Sequence, residues 1–378
     1  MVARSAEWSA DGRIVTTSTI GTARGPVQVR QLGGTVDGIG MVVFHAPPVP
    51  RLGDQVTAHL AKTGTWVTEL YRGQLRPGQS IAELPRMEFT RTTTQDSQVP
   101  LRWTSGCVFV RFSAEGTSHI PGQDEFGIMA SAVDSWLNAT SSCSYFDVLL
   151  EEPEDSEVGN DQINLIKFRD TEWGRPAVGN APAAVYPPQA AGLTTLFFRD
   201  RPCPDDDPPP CPESNPGDGA IIDADIELNG VDFAISTGGN SSGNASCLSD
   251  LGNTLTHELG HLFGLDHTCF DGLPGQIRPV DGDGEPVPSC DEPNLSDEIL
   301  EATMYNFQDC GETLKTTLEA DDVAGFCAAY PLAADPNECK RVSADGGCCA
   351  VGGASLSDLG APIALGLLAL LAVGRRRA

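Results

Sequence analysis

The chain has 378 residues, enough for one large domain or two ordinary ones, and 40% of them are hydrophobic, as in a globular protein with a sizeable core. Its formal net charge of −28, with no cluster of Lys and Arg before the last few residues, excludes nucleic acid as a partner of the main body. Twelve cysteines, scattered instead of grouped as two C-x-x-C pairs, exclude an ordinary cytosolic enzyme and point to disulfides in an oxidising compartment. The start, Met1 to Ser5, lacks the apolar core of a signal peptide, so the sequence predicts a true amino terminus upstream of Met1.

Residues 1–95 carry short apolar and β-branched runs (27–29, 41–44, 66–70) between Gly and Pro, which predicts a small all-β module of unassigned role. His45 and His59 lie there without companions and read as ordinary structural or surface histidines. A new pattern starts near 96: a strand at 107–112, then a helix from Asp124 with Phe126, Met129, Val133, Trp136 and Leu137 on one face. That face is core, not a cofactor box. Strands are expected at 145–150, 164–168 and 193–198. Within 222–229 strict alternation predicts Ile222, Ala224, Ile226 and Leu228 inward and Asp223, Asp225, Glu227 and Asn229 outward.

A Ser/Gly/Asn loop at 238–246 precedes a helix over about 249–263, with Leu251, Leu255, Leu259 and Leu262 on one side and Gly264 to end it. An irregular acidic segment, 268–300, leads to a last helix over 319–330, stopped by Pro331. The Asp-rich loops 204–208 and 281–285 offer ligands for Ca2+, although such charge runs are ordinarily solvated surface. Cys203 and Cys211 bracket one of these loops closely enough for a local bridge. Residues 333–355 read as a Gly/Cys-rich linker. The apolar run 361–373, extended to 356 by Leu356 and Leu359, falls short of the roughly 20 residues of a usual membrane span, and Arg375, Arg376 and Arg377 follow it.

The chemistry is concentrated in His257-Glu258-Leu259-Gly260-His261-Leu262-Phe263-Gly264-Leu265-Asp266-His267. Two histidines four apart on a helix project from one face, so both imidazoles can reach one ion. Gly264 permits the turn that returns His267 as third ligand. Three neutral nitrogens on Zn2+ leave a fourth position for water, whose pKa falls to about 7, and Glu258 stands ready as general base.

This H-E-x-x-H-x-x-G-x-x-H segment resembles the signature of metzincin zinc metalloproteases. Ala302-Thr303-Met304-Tyr305 looks like the Met-turn of the matrixins and their bacterial relatives, with Met304 as an apolar floor under the ligands and Tyr305 not a ligand. Leu318 to Gly325 resembles the start of their terminal helix, with Glu319 where a Ser or Thr is usual. The resemblance spans about 99–331 and is strongest over 253–267 and 302–331. It implies an α+β fold, with a twisted mixed sheet, a long active-site helix and a C-terminal helix over residues 96–332, and a protein or peptide substrate. It also makes 222–229 the edge strand above the cleft. Two departures are visible: the interval from His267 to Met304 is long, and no cysteine lies upstream of Cys107 to cap zinc as a matrixin pro-segment does. The tail, 356–378, resembles the sorting signal of myxobacterial surface proteins, with Cys348 or Cys349 as processing point. That implies a secreted protein held at the bacterial cell surface or membrane and a sorting protease as partner. Two other functions remain open at this point: a surface binding or adhesion protein with a structural metal site, and a metallohydrolase of a non-protein polymer. Cys247 and Cys269 flank the metal segment, and Cys290, Cys310 and Cys327 are the candidate partners for a bridge there.

Overall fold

The computed structural model describes residues 3–22, 25–44, 56–60, 66–72, 89–94, 97–176, 184–201, 217–272, 278–282 and 284–342. The cysteines at 203, 211, 348 and 349, the loop 204–208, His45 and the tail therefore lie outside the described residues.

The early apolar runs form strands. β1 (Ala3–Trp8), β2 (Ile14–Thr22) and β3 (Gly25–Leu32) make an antiparallel sheet, with Trp8 opposite Ile14 and Val15 opposite Leu32. β4 (Gly34–Val36) and β5 (Ile39–Val43) form a hairpin whose turn residues, Asp37 and Gly38, have φ of 52° and 78°, the left-handed pair that a tight two-residue connection requires. β6 (Val56–Leu60) and β7 (Val67–Arg72) pair antiparallel, and β8 (Thr90–Arg91) follows.

The main sheet collects β9 (Cys107–Phe112), β10 (Asp147–Leu150), β11 (Asn164–Arg169), β14 (Gly192–Arg199) and β15 (Ile221–Asn229), after the small ladder of β12 (Gly174–Arg175) and β13 (Ala184–Val185). Its seven strands run β10-β9-β11-β15-β14-β5-β4, the first four mutually parallel and β14 antiparallel to both neighbours. The sheet is thus mixed, and strands from both sides of residue 95 share it. β16 (Ala234–Ser236) and β17 (Leu248–Asp250) pair in parallel, and β18 (Leu265–Asp266) returns to β8.

Among the described residues there are four α-helices: α1 (Asp124–Thr140), α2 (Leu251–Leu262), α3 (Asp297–Glu301) and α4 (Ala320–Ala329). The amphipathic face expected on α1 is buried through Met129, Val133 and Trp136. It packs with α2, α4 and the inner face of β9, β11 and β15 into one core with Phe263, Phe326 and Tyr330. Trp136 joins the layers most directly: its indole Nε1 donates to Thr256 O of α2 at 2.9 Å, and its ring stands edge-on to Phe263. A second core on the opposite face of the sheet holds Ile14, Met41, Trp173, Tyr186, Leu193 and Phe197.

Two expectations about 222–229 are corrected. The strand is not at an edge: β15 lies between β11 and β14 and is fully buried. Nor do its acidic residues face solvent. Asp223 accepts Asp161 N and Gln162 N at 2.7 and 3.0 Å, and Asp225 accepts Gly159 N and Leu165 N at 2.8 and 3.1 Å, so a loop covers that face. Glu227 accepts from Tyr186 Oη at 2.8 Å and pairs with Arg169 and Arg175. Burial pushes Asp223 up to about 7. It pushes on Glu227 too, but Arg175 and Arg169 outweigh it and hold that carboxyl at about 2. A register shift opposite Phe197 and Phe198 also moves Ile222 out of the helix-side core and into the second one.

Among the described residues four disulfides join Cys107–Cys339, Cys143–Cys327, Cys247–Cys310 and Cys269–Cys290. The last two flank the metal-type segment on both sides, with Cys310 and Cys290 as partners, while Cys327 bonds elsewhere.

Candidate metal centre

α2 starts where Asp250 accepts Asn253 N at 3.1 Å, the side-chain cap that a helix beginning inside a core needs. Eleven of its twelve residues are buried, so His257, Glu258 and His261 stand in a closed site, not on a wet helix face. The helix ends at Phe263. Gly264 has φ of 84°, its N–H donates to His261 O at 2.8 Å, and an added Cβ would lie 2.6 Å from Leu101 O. Only glycine fits that turn. The chain then pairs through β18 with β8, which carries His267 back over α2.

The three histidines meet: one ring nitrogen from each lies within 4.8 Å of the others, and all three side chains are buried. His257 Nδ1 is 2.6 Å from Thr303 O and His261 Nδ1 is 2.9 Å from Leu265 O. A carbonyl only accepts, so both Nδ1 atoms carry the proton and both Nε2 atoms present lone pairs inward. His261 Nε2 and His267 Nε2 are 3.1 Å apart. That separation suits a hydrogen bond from a His267 Nε2–H to the His261 lone pair, or two lone pairs directed at one cation. An all-imidazole donor set fits a zinc-type ion and not calcium, which takes oxygen. Among the described residues this triad is the one group of three or more metal-type ligands within such range.

Met304 lies below. It is buried, and a Cβ on Gly260 would collide with its Sδ, so the glycine inside the motif lets the thioether reach the helix. Asp322 at the start of α4 holds this turn: its carboxylate accepts Thr303 N at 2.9 Å, Met304 N at 3.1 Å and Glu319 N at 2.9 Å. Burial raises its carboxyl above the usual range, and these donors oppose the rise. Asp322 thus caps the α4 start through Glu319 N and also supports the turn whose carbonyl orients His257.

Several residues of the site were not singled out by sequence reasoning. Thr194 Oγ1 donates to Glu258 Oε2 at 2.6 Å, and a Cβ on Gly192 would lie 2.5 Å from Glu258 Oε1. The strand that borders Glu258 is therefore β14, not β15. Phe44, just past β5, donates its N–H to Thr194 O at 2.8 Å and stacks on His261 with centroids 3.9 Å apart and planes at 10°. Lys315, in the short 3-10 turn Leu314–Thr316, borders the same space as Glu258. Gly192 before a strand was the one visible signal; the rest depend on contacts far apart in sequence. Tyr305 faces Phe307 with ring centroids 5.7 Å apart, while the remaining described histidine side chain outside the triad, His119, accepts Ile235 N at 3.1 Å as a structural residue.

No family model matches the chain, and no curated protein matches it.

Proposed function

We propose that the chain is a zinc-dependent endopeptidase of the metzincin type, nearest in character to the matrixin-like bacterial enzymes, with His257, His261 and His267 as ligands, Met304 as the floor and Glu258 as general base. The observation that carries this reading is the buried convergence of three imidazole nitrogens next to a carboxylate that borders a cavity. Zinc held there would polarise water and a peptide carbonyl and bring the pKa of the water to about 7. The chain's own residues supply the rest. Glu258 takes the proton of the attacking water and returns it to the leaving amine, and Thr194 fixes which carboxylate oxygen is engaged. β14, like β15, lies between two paired strands, so the substrate-aligning role expected of β15 does not pass to it.

A structural metal site in an adhesion protein has no use for a carboxylate at the edge of a cavity, so the enzymatic reading is preferred. Hydrolysis of a non-protein polymer is separated from proteolysis by the substrate alone. The disulfides support an oxidising compartment. With the likeness of the tail to a sorting signal, they support a secreted, surface-anchored protein.

The test uses the full chain with casein as substrate and zinc content as second readout. Glu258→Ala should keep zinc and fold while activity falls on the order of 10²–10⁴-fold. His261→Ala should lose zinc as well. Near-normal cleavage by zinc-loaded Glu258→Ala sinks the general-base assignment.

A further inference from the structure

A cavity of about 110 Å³ lies beside Glu258, bounded by Gly192, Thr254 and His257 on one side and by Phe307, Gln308 and Lys315 on the other. Lys315 and Glu258 are its two charged lining residues. Lys315 is only 3% exposed, and its position is built: its backbone N donates to Asn253 Oδ1 at 2.8 Å, and Asn253 Nδ2 in turn donates to Gln308 Oε1 at 2.9 Å. Its ammonium carries three protons. Phe307 O accepts one at 2.5 Å, the Glu312 carboxylate forms an ion pair at 3.8 Å, and the Tyr305 ring centroid lies 5.7 Å away.

Resting on the protease reading, we propose that this cavity receives the side chain of a substrate residue flanking the scissile bond and that Lys315 selects a carboxylate there, so that the enzyme cuts beside Glu or Asp. A buried ammonium that lines the cavity and has more protons than the one Phe307 O accepts is a poor wall for an apolar side chain, which offers it no acceptor. A Lys or Arg side chain would meet like charge. A carboxylate completes the ammonium's coordination and gains charge-assisted hydrogen bonds in a dry site.

The experiment offers the full zinc-loaded chain a set of quenched peptides that differ only in the residues flanking the cut, with cut positions read by mass spectrometry. Acidic residues at one flanking position should exceed Leu by about tenfold or more in kcat/KM. Lys315→Met should erase that preference, and Lys315→Glu should turn it toward Lys and Arg. Binding of the same peptides to Glu258→Ala, by fluorescence anisotropy, gives the ranking without turnover. The wild type provides a check that does not depend on variant folding. Burial lowers Lys315 to about 8 against the opposing charges of Glu312, Glu258 and Asp322, so the acidic preference should fade as pH rises past that value. A wild-type preference for Leu at both flanking positions, or an acidic preference untouched in folded Lys315→Met, overturns the inference and leaves the protease reading standing. Failure to cut any peptide overturns both.

Discussion

Replacing Asp322 by Ala tests whether the turn under the histidines is held from α4. The carboxylate accepts three backbone N–H groups; Glu319 is exposed and can turn to water, but Thr303 and Met304 are 0% and 2% exposed. Two buried donors left without a partner cost about 1–3 kcal/mol each, or about 2–6 kcal/mol together. The loss should appear as a lower urea midpoint with unchanged slope. Thr303 O also orients His257 through the 2.6 Å contact with Nδ1, so zinc affinity, measured by competition with a chromophoric chelator, should fall about 10–100-fold. Asp322→Asn, which keeps one acceptor oxygen but turns an NH₂ toward the remaining donors, should lie between. An Asp322→Ala chain that unfolds at the wild-type midpoint and holds zinc as tightly would refute the reasoning, because the turn would then be self-supporting.

Gly260→Ala should destabilise, by about 1–3 kcal/mol through overpacking against Met304, even though Ala favours an isolated helix by about 1 kcal/mol; a raised Tm would show that the thioether moves aside freely. The buried acids of β15 predict a pH trend. Asp223, about 7 when folded against 3.8, holds a proton that the unfolded chain releases, so this contribution is full below 3.8 and lost as pH rises through 7. Glu227, held at about 2 against 4.5, contributes above 4.5 and loses that stability as pH falls through 2. Urea titrations of wild type and Asp225→Asn, whose burial beside Asp223 raises its carboxyl in the same direction, should show the wild-type advantage at pH 5 narrowing by pH 8. A constant gap would mean that the pair does not titrate in this range.

The metal segment was legible because its geometry is local: a four-residue step is one helical turn, and Gly264 marks where the helix must end. α1, α2 and α4 were visible for the same reason, through apolar faces at helical spacing. Strand roles were not. Residues 193–198 and 222–229 both read as strands, the second with one face outward, and which one borders Glu258 depends on pairing across many residues. Alternation in β15 correctly separates two faces from Asp223 onward, but it cannot say that a loop covers the second, so Asp223 and Asp225 were placed in water. Asp322 falls within the stretch 318–325 that resembles a helix start, and α4 does start there. Its service to Thr303 and Met304, about a score of residues upstream, leaves no periodic trace. Phe44 and Lys315 reach the site by the same kind of distant return.

The four bridges are concentric. Cys269–Cys290 sits inside Cys247–Cys310, that pair inside Cys143–Cys327, and all three inside Cys107–Cys339. Among the described residues no bridge crosses another, so these four can close from the centre outward. The innermost has the smallest sequence separation, 21 residues, and each closure shortens the free contour left for the next. By the time the outermost pair meets, the chain to be gathered is only the difference between separations of 232 and 184 residues. On the protease reading proposed above, the arrangement has a second effect. A single cut anywhere between Cys107 and Cys339, in any loop its own kind can reach, leaves both pieces tethered through at least one sulfur pair. Such a molecule could be nicked by its neighbours without shedding either part.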